Sequence, residues 1–205
     1  MKQINVIGAT GYVGSALVEE AIQQDISINA LVRNVSKINQ KHSYLALQEC
    51  DIEDVEAIKK SFLIDVPVIV SIATSTIDQK LLLMKNIIQA MKSLQMNRIL
   101  VVGGAGILPV NSNQKLYETE QFPLELLGFT LGHLGVYELL KKSALQYTMV
   151  CPPNIPDIPY TGNYTTSINQ ATGGWSINRG DLAHFIVQSV FDNQYHDTIV
   201  GIANM

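Results

Sequence analysis

Residues Ile4 to Gly14 read Ile-Asn-Val-Ile-Gly-Ala-Thr-Gly-Tyr-Val-Gly, and this stretch decides the fold. Its three glycines follow an apolar, strand-like run, and a helix-like segment comes after them. Gly8 permits a tight turn, Gly11 lets main chain approach a pyrophosphate, and Gly14 lets the helix pack closely on the sheet. The first helical amides then face the phosphates, where the helix dipole favours negative charge. In this context the glycines indicate a dinucleotide-binding turn rather than an ordinary one.

Length and composition indicate a single domain that spans residues 1–205. The net charge of −4 and the lack of a basic stripe argue against a nucleic-acid partner. Two cysteines do not make a disulfide framework, so we expect the reducing cytoplasm. No leader pattern precedes the first strand, and the purely apolar stretches fall far short of the ~20 residues of a membrane span. We therefore expect no membrane association.

Apolar runs alternate with helical patterns for most of the length, which predicts the order of the elements. Strands are expected near residues 2–7, 27–32, 43–48, 66–72, 98–103, 146–151 and 197–202. Helices are expected near residues 12–24, 53–61, 76–95, 123–143 and 179–192. Several strands are apolar almost throughout, which is typical of a parallel sheet covered on both faces. The pattern predicts an α/β fold with a Rossmann-like, doubly wound parallel sheet and a ligand at the carboxyl ends of its strands.

The alternation breaks down after residue 151. The segment from Cys151 to Pro159 has four prolines in nine residues, which excludes a helix. We interpret residues 152–178 as a loop-rich lid that closes over the cofactor. The residues that follow indicate a helix start, with Asn178 as its cap and Asp181 reaching back from the first turn.

A basic residue stands where the second strand ends. NAD-binding versions of this fold usually supply an acid there to the ribose 2′-hydroxyl, but this chain supplies Arg33 and then Lys37. A guanidinium can grip a 2′-phosphate with two hydrogen bonds, and Lys37 adds a point charge. These residues favour NADP over NAD. The alternative is that Arg33 is merely solvated after the strand.

Two further strand ends offer contacts to the nucleotide. Asp51 follows the third strand and can accept a hydrogen bond from the adenine amino group, while Ile52 packs on the ring. Alternatively, Asp51 only caps the helix expected near Glu53. Ala73 and Thr74 follow the fourth strand, where small side chains leave room for the ribose and the phosphates.

Several motifs together carry a resemblance to a known family. They are Gly-Ala-Thr-Gly-Tyr-Val-Gly at 8–14, Leu-Val-Arg at 31–33, Cys-Asp-Ile at 50–52, Leu-Val-Val-Gly-Gly-Ala-Gly-Ile-Leu at 100–108, Ser-Ala-Leu-Gln-Tyr-Thr-Met-Val-Cys-Pro-Pro at 143–153, Thr-Gly-Asn-Tyr at 161–164 and Ile-Asn-Arg-Gly-Asp-Leu-Ala-His-Phe at 177–185. Over nearly its whole length the chain resembles the atypical short-chain dehydrogenase/reductases of NmrA-like type. Within them it is most similar to the bacterial NADH-flavin reductases and to biliverdin-IXβ/flavin reductase.

The resemblance implies a Rossmann-like fold, NADPH as the donor, flavins or linear tetrapyrroles as acceptors, and a monomer. By position, with Gly8 and Gly14, it implies cofactor contacts at Thr10, Gly11, Tyr12, Val13, Arg33, Lys37, Asp51, Ile52, Ala73, Thr74, Gly103, Gly104, Pro152, Pro153, Asn154 and Ile155. Two departures weaken a tetrapyrrole assignment, because the biliverdin-type relatives have a Ser where Gly104 stands and a His where Asn154 stands.

The sequence offers no complete proton-donating constellation. Many short-chain dehydrogenases use a Ser after the fifth strand and a Tyr-x-x-x-Lys on the next helix, where the Lys lowers the pKa of the Tyr. Tyr137 and Lys141 have this spacing, but the register counted back from the prolines puts Phe129 and His133 at those two positions. Tyr137 then lies one helical turn, about 6 Å, too close to the sixth strand. Helix packing is therefore the favoured interpretation of Tyr137.

A flat acceptor is compatible with this lack of an acid. Hydride can pass from a nicotinamide directly to an electron-poor ring such as FMN, riboflavin or a quinone, and water can supply the proton later. Four aromatic residues, Phe122, Tyr160, Tyr164 and Trp175, lie in segments expected to border the nicotinamide and suit a flat substrate. The alternative is that they are ordinary core and loop anchors.

Two polar side chains accompany Tyr137 as candidates for a catalytic role that the sequence leaves unknown. Asn154 follows the prolines and can hydrogen-bond the carboxamide of the nicotinamide or the substrate. His133 can contact the nicotinamide ribose, or it is simply a residue of the helix surface.

Three functions compete at this point. The first is an NADPH-dependent reductase with a small-molecule, flavin-like acceptor. The second is a non-catalytic NADP-binding protein that senses redox state and passes it to a partner, as the Gly-rich turn in place of a catalytic Ser allows. The third, a sugar-nucleotide epimerase or dehydratase, is disfavoured because the chain is short after the sixth strand and lacks a placed Tyr-Lys pair.

Overall fold

Strands and helices alternate along most of the chain in the computed structural model, which describes residues 2–37 (the side chain of Lys37 excepted) and 41–205. The strands are β1 (Gln3–Ile7), β2 (Ser27–Val32), β3 (Leu45–Glu49), β4 (Val68–Val70), β5 (Arg98–Val102), β6 (Pro109–Asn111), β7 (Gln114–Lys115), β8 (Gln146–Cys151), β9 (Tyr164–Ile168) and β10 (Thr198–Asn204). The α-helices are α1 (Tyr12–Gln23), α2 (Val55–Ser61), α3 (Ile77–Ser93), α4 (Leu127–Ser143) and α5 (Arg179–Ser189).

Eight of these strands form one sheet in the order β3-β2-β1-β4-β5-β8-β10-β9 among the described residues. All pair in parallel except β9, which runs antiparallel to β10 at the edge. The strand order reverses between β1 and β4, and such a switch point opens a crevice beyond the carboxyl ends of the strands. The predicted doubly wound, Rossmann-like fold is confirmed.

Helices cover both faces of this sheet, as the apolar strands predict. Residues of α1 and α5 pack with one set of strand side chains. Residues of α2, α3 and α4 pack with the other set. Two-sided burial explains why Ile69 and Val70, successive residues of β4 that face opposite sides of the sheet, are both fully buried.

Three observed elements were not predicted, and several boundaries differ. Strands β6 and β7 form a small hairpin of their own. Strand β9 is polar, Tyr-Thr-Thr-Ser-Ile, so it gives no apolar run to recognise. Helix α4 begins at Leu127 rather than 123, after a single 3-10 turn that follows Pro123. Strand β9 was missed because it forms only by pairing with β10, about 35 residues away in the chain, whereas β6 and β7 are too short, at three and two residues, to show a pattern.

The interpretation of residues 152–178 as a lid is wrong for its central part. Strand β9 lies inside this segment and pairs with β10 over its full length, from Tyr164 opposite Asn204 to Ile168 opposite Val200. The flanking residues are also held by the main chain, because the amide of Ile177 donates to the carbonyl of Asn154 at 2.9 Å. The segment forms a fixed wall of the fold.

Two asparagines lie within the apolar strands. Asn5 and Asn29 are buried, and Asn29 Nδ2 donates to Asn5 Oδ1 at 2.8 Å. Asn5 also donates to the carbonyl of Leu63 and accepts from its amide, at 2.9 and 3.0 Å. Because buried polar groups need partners, this pair fixes the connection between α2 and β4 against the sheet.

Backbone crosses backbone at the switch point, and two glycines make the crossing possible. Gly8 has a φ of +87°, and a Cβ built on it would lie 2.0 Å from the carbonyl oxygen of Ser71 after β4. A Cβ on Gly14 would lie 1.9 Å from the carbonyl oxygen of Gly8. Neither distance accommodates a carbon atom, so the first turn of α1 sits directly on the turn that leaves β1.

We predict that Gly14→Ala lowers the free energy of unfolding by about 3 kcal/mol, because the new methyl group collides with backbone that cannot yield. Gly128→Ala is the matched control. It lies in α4 where a Cβ would meet nothing within 4 Å, and we expect it to raise the free energy of unfolding by up to about 1 kcal/mol. Urea denaturation measures both, and equal effects of the two substitutions would contradict the crossing.

Candidate functional site

The first backbone amides of α1 have no acceptor within the helix, so the positive end of the helix dipole is exposed at the crevice. Its N-cap residue is Gly11, no side chain caps it, and the first turn holds no acidic residue. The amide of Ser15 donates to the carbonyl of Gly11 at 2.9 Å, which leaves the amides of Tyr12 and Val13 without a helical partner. Gly11 is exposed, so an anion can approach these amides closely.

The predicted nucleotide contacts follow the carboxyl ends of neighbouring parallel strands, so the fold brings them to one edge of the sheet. They are Gly8 to Gly14 after β1, Arg33 after β2, Asp51 and Ile52 after β3, Ala73 and Thr74 after β4, Gly103 and Gly104 after β5, and Pro152 to Ile155 after β8. Such an edge binds nucleotides in doubly wound sheets.

Arg33 is exposed and unpaired. It directly follows β2, and no hydrogen bond or ion pair joins its guanidinium to any residue that the structure describes. All five of its N–H groups are therefore available to a ligand. The backbone of Lys37 ends a 3-10 turn four residues later, but its side chain lies outside the described residues.

Asp51 does not cap helix α2. Asp54 is the N-cap, and its side chain accepts from the amide of Glu56 at 2.8 Å. Asp51 instead accepts from the amide of Glu53 at 2.9 Å and shapes the turn after β3. The capping alternative is wrong, and the exposed carboxylate still has acceptor capacity. Ile52 is half-buried beside it.

The turn after β5 needs glycine for two different reasons. Gly103 is buried, and a Cβ there would lie 2.7 Å from Cε of Met149 and 3.2 Å from Sγ of Cys151. Packing against β8 therefore explains this glycine without a ligand. Gly104 is partly exposed, and a Cβ there would lie 3.1 Å from the His133 ring.

His133 is a desolvated residue rather than one of the solvated helix surface. Burial, together with the nearby charge of Lys80, lowers the pKa of His133 to about 3. The imidazole is consequently neutral at physiological pH and keeps one N–H donor and one acceptor. At the end of β5 it can orient a hydroxyl, but it holds no proton to transfer as an imidazolium.

The proline-rich segment is tied to the glycine-rich turn. Tyr12 donates its hydroxyl to the carbonyl of Ile155 at 3.0 Å. Arg179 lies 5.0 Å from the centre of the Tyr12 ring, donates to the Tyr12 carbonyl at 3.3 Å and forms an ion pair with Asp157 at 2.9 Å. These contacts join β8, α1 and α5 around the crevice, while Asn154 stays exposed between them.

Sequence reasoning missed Arg179 because its partners are distant in the chain. A signal did exist, since a cation at the first position of a helix is disfavoured by the helix dipole. An arginine placed there needs other partners, and Tyr12 and Asp157 supply them.

Two of the four predicted acceptor-facing aromatics lie at the crevice, and two contact α5. Phe122 packs against Gly106 in the turn after β5. Trp175 is 70% exposed and, with Pro153, lines a small apolar cavity of about 90 Å³. Both therefore border the end of β5 and β8.

The other two aromatics contact α5, as the alternative of ordinary anchors describes, and their place beside the nicotinamide stays a prediction. Tyr160 stacks on His184 with ring centres 4.3 Å apart, and His184 Nδ1 lies 2.8 Å from Glu20 of α1. Tyr164 meets Phe185 edge to face at 6.2 Å. Tyr160 nevertheless remains 50% exposed, whereas Tyr164 is partly buried.

Tyr137 lies far from the carboxyl ends of the strands. Its ring meets that of Tyr147 at 6.1 Å, and Tyr147 is the second residue of β8. Four residues of strand, about 13 Å, separate Tyr147 from the carboxyl end of β8. The packing interpretation of Tyr137 is confirmed, and the residue does not reach the crevice.

Asp181 anchors the turn that leads into β9. It is fully buried and accepts hydrogen bonds from Thr161, Gly162, Asn178 and Asn204 at 2.7 to 2.9 Å. Asn178 is the N-cap residue of α5 as predicted, and Asp181 reaches back to it from the first turn, but the Asn178 side chain donates to Asp181 and caps no helical amide. Burial raises the pKa of Asp181, but these hydrogen bonds outweigh it and hold the pKa below its usual value.

The sequence profile of the NAD(P)H-binding family matches residues 8–193 of this chain. The chain therefore belongs to the NAD(P)H-binding family, a family of oxidoreductase type. The match begins at the first glycine of the turn and ends beyond α5, so it includes the whole crevice.

The chain is also similar to individual proteins. The uncharacterized protein YwnB of Bacillus subtilis (strain 168) is 29% identical over 172 residues, which cover 79% of this chain and 78% of that protein. A solved structure from Streptococcus pneumoniae TIGR4, provisionally described as an NADH-flavin reductase, has 27% identity and a TM-score of 0.85, with 100% of both chains covered.

A second solved structure shows the fold alone. It comes from Burkholderia pseudomallei, is provisionally described as an exported protein, and has 24% identity and a TM-score of 0.88 over 99% of this chain and 100% of that one. Across the described residues, no helix has the length and hydropathy needed to span a bilayer. The expected cytoplasmic location stays a prediction.

We predict that Asp181→Asn lowers the free energy of unfolding at neutral pH by about 2–3 kcal/mol, because charge-assisted hydrogen bonds are lost from a buried site. The folded-state pKa of Asp181 is depressed, so its stabilisation is full above the ordinary aspartate pKa and is lost as the pH falls through the folded-state value. In denaturant titrations, the free energy of unfolding should fall less between pH 7 and pH 3 for Asp181→Asn than for wild type. Glu19→Gln, an exposed control on α1, should follow wild type, and parallel curves for all three would contradict the role of Asp181.

Proposed function

We propose that this protein is an NADPH-dependent reductase that transfers hydride to a flat, conjugated acceptor such as FMN, riboflavin or a quinone. One observation carries the proposal. The N-terminus of α1 is lined by glycine and has no side-chain cap, and Arg33, which has no partner among the described residues, lies at the same edge of the sheet. A monomer in the cytoplasm, with a small-molecule acceptor as its partner, belongs to the same proposal.

The residues at the crevice fit a dinucleotide. A Cβ at Gly11 would meet only the carbonyl oxygens of Gly8 and Ser71, at 3.3 and 3.9 Å, so a pyrophosphate can lie on the amides of α1. Arg33 would bind the 2′-phosphate through two parallel hydrogen bonds, with Lys37 adding charge. Asp51 and Ile52 would hold the adenine.

The far end of the crevice fits the nicotinamide and the acceptor. Gly104 leaves the end of β5 open, Asn154 offers an amide to the carboxamide, and neutral His133 can hydrogen-bond a ribose hydroxyl. When bound, the nicotinamide supplies the hydride. Phe122 and Trp175 would then form walls that align a flat ring with it.

Proton chemistry favours acceptors that need no protein acid. With Tyr137 at the wrong end of β8 and His133 neutral, neither of these two predicted candidates offers a proton at the crevice near pH 7. A flavin or quinone can take hydride first and a proton from water afterwards, whereas an isolated carbonyl needs the proton with the hydride.

Gly104 also favours a second candidate, a protein that binds NADP and reports its redox state without turnover. Gly104 lies after β5, where many short-chain dehydrogenases have the Ser hydroxyl that serves catalysis. The two candidates differ in one quantity, the rate at which bound NADPH is oxidised.

The discriminating measurement is steady-state oxidation of NADPH with FMN, riboflavin or a quinone. We expect the protein to accelerate it at least about tenfold over the uncatalysed reaction, because alignment alone lowers the barrier. Gly11→Asp is the negative control, since its carboxylate would repel the pyrophosphate at α1. Tight binding of NADPH with no acceleration by any acceptor would support the sensor instead.

We predict that Arg33→Ala weakens NADPH binding by ~1.5–3 kcal/mol, about 10- to 150-fold in Kd, and leaves NADH binding nearly unchanged. The reason is that only NADPH carries the 2′-phosphate that the guanidinium would grip. Calorimetric titration measures both cofactors, with the exposed Lys60→Ala of α2 as control. An equal loss for NADPH and NADH would show that Arg33 does not recognise the 2′-phosphate.

A further inference from the structure

Lys80 is buried between α3 and α4 without an acceptor. It lies in the first turn of α3, where its amide donates to the Thr76 carbonyl at 3.2 Å, and its side chain is only 7% exposed. Its stem passes Gly132, where a Cβ would lie 3.3 Å from Lys80 Cδ, so the glycine makes room for it. Within the described part of the chain, no hydrogen bond or ion pair satisfies its ammonium group.

Nothing that the structure describes neutralises this charge. Burial lowers the pKa of Lys80, and the charge of Lys80 in turn helps to keep His133 neutral. Glu125 lies on the same cavity but is exposed and forms no ion pair with the lysine. No enclosed side-chain nitrogen lacks a partner among the described residues, so the Lys80 ammonium is accessible even though the rest of the residue is buried. A largely buried lysine that keeps an accessible, unpartnered ammonium can bind an anion.

The lysine lines a cavity of about 170 Å³ at the mouth of the crevice. One side consists of residues 74–76, which connect β4 to α3, and of Ile77, the first residue of α3. The Thr74 hydroxyl already donates to the Thr76 carbonyl at 3.0 Å, so Ser75 and Thr76 carry the hydroxyl groups that can donate to a ligand. The other side consists of α4 residues, with the 62% exposed ring of Phe129. Gly132 lines the cavity and precedes His133, whose ring lies against Gly104, so the cavity adjoins the end of β5.

We propose that this cavity is an anion subsite of the acceptor, in which Lys80 binds a phosphate monoester such as that of FMN. The hydroxyl-bearing loop and the single cation suit phosphate oxygens, and Phe129 offers a flat surface to the group that carries the phosphate. The inference has two parts. The identity of the ligand as an acceptor rests on the proposed reductase function, whereas the presence of an anion site does not. It makes the protein discriminate FMN from riboflavin, which lacks the phosphate.

The anion site is tested directly with inorganic phosphate, in the presence of saturating NADP⁺ so that the α1 terminus is filled. We expect phosphate to raise the thermal unfolding midpoint of wild type by about 2–4 °C. Lys80→Met keeps the apolar stem and should abolish this shift. Lys85→Met, which removes an exposed lysine of the same helix, should retain it. An equal shift in Lys80→Met and wild type would overturn the subsite, whether or not any flavin is reduced.

The link to the acceptor is tested by kinetics with two flavins. Lys80→Met should raise the KM for FMN about tenfold or more, while the KM for riboflavin and the Kd for NADPH stay within twofold of wild type. An equal rise for both flavins, or no rise for FMN, would overturn the assignment to the acceptor. If no flavin is reduced by wild type but Lys80→Met abolishes the phosphate shift, the reductase proposal fails and the anion site stands.

Discussion

The site depends on the close contact between main-chain segments at Gly8 and Gly14, where there is no room for a Cβ atom. Gly8 brings the end of β1 against the carbonyl after β4, and Gly14 brings α1 against Gly8 itself. The distance from the sheet to the α1 terminus is thereby set by main-chain atoms, which do not change rotamer. A nucleotide lying across this crossing would meet a rigid surface whose donors already point outward, so little ordering would be needed on binding.

Charge is distributed unevenly between the crevice and the rest of the molecule. The chain carries a net charge of −4, yet the crevice presents an uncapped helix terminus, Arg33 and Lys80. None of these has a carboxylate partner among the residues that the structure describes. Positive groups kept unpaired at one edge of an acidic protein focus anionic ligands there and disfavour neutral analogues.

Local signals made the sheet and its glycine-rich turn predictable. Apolar runs marked the parallel strands, and the spacing of Gly8, Gly11 and Gly14 placed α1. Strand β9 was not predictable, because its polar sequence becomes a strand only by pairing with β10. The contacts of Tyr160 and Tyr164 with α5 were also not predictable, because they join residues about 20 positions apart in the chain. Contacts such as those of Arg179 and Lys80 arise only once distant helices meet, so periodicity carries no trace of them.

The anchored course of residues 152–178 has a consequence for recognition. Among the residues that the structure describes, hydrogen bonds tie this segment to β10, α1 and α5. Binding of a nucleotide would therefore not require this segment to fold over it, and its main chain would follow nearly the same course in the free protein and in the complex.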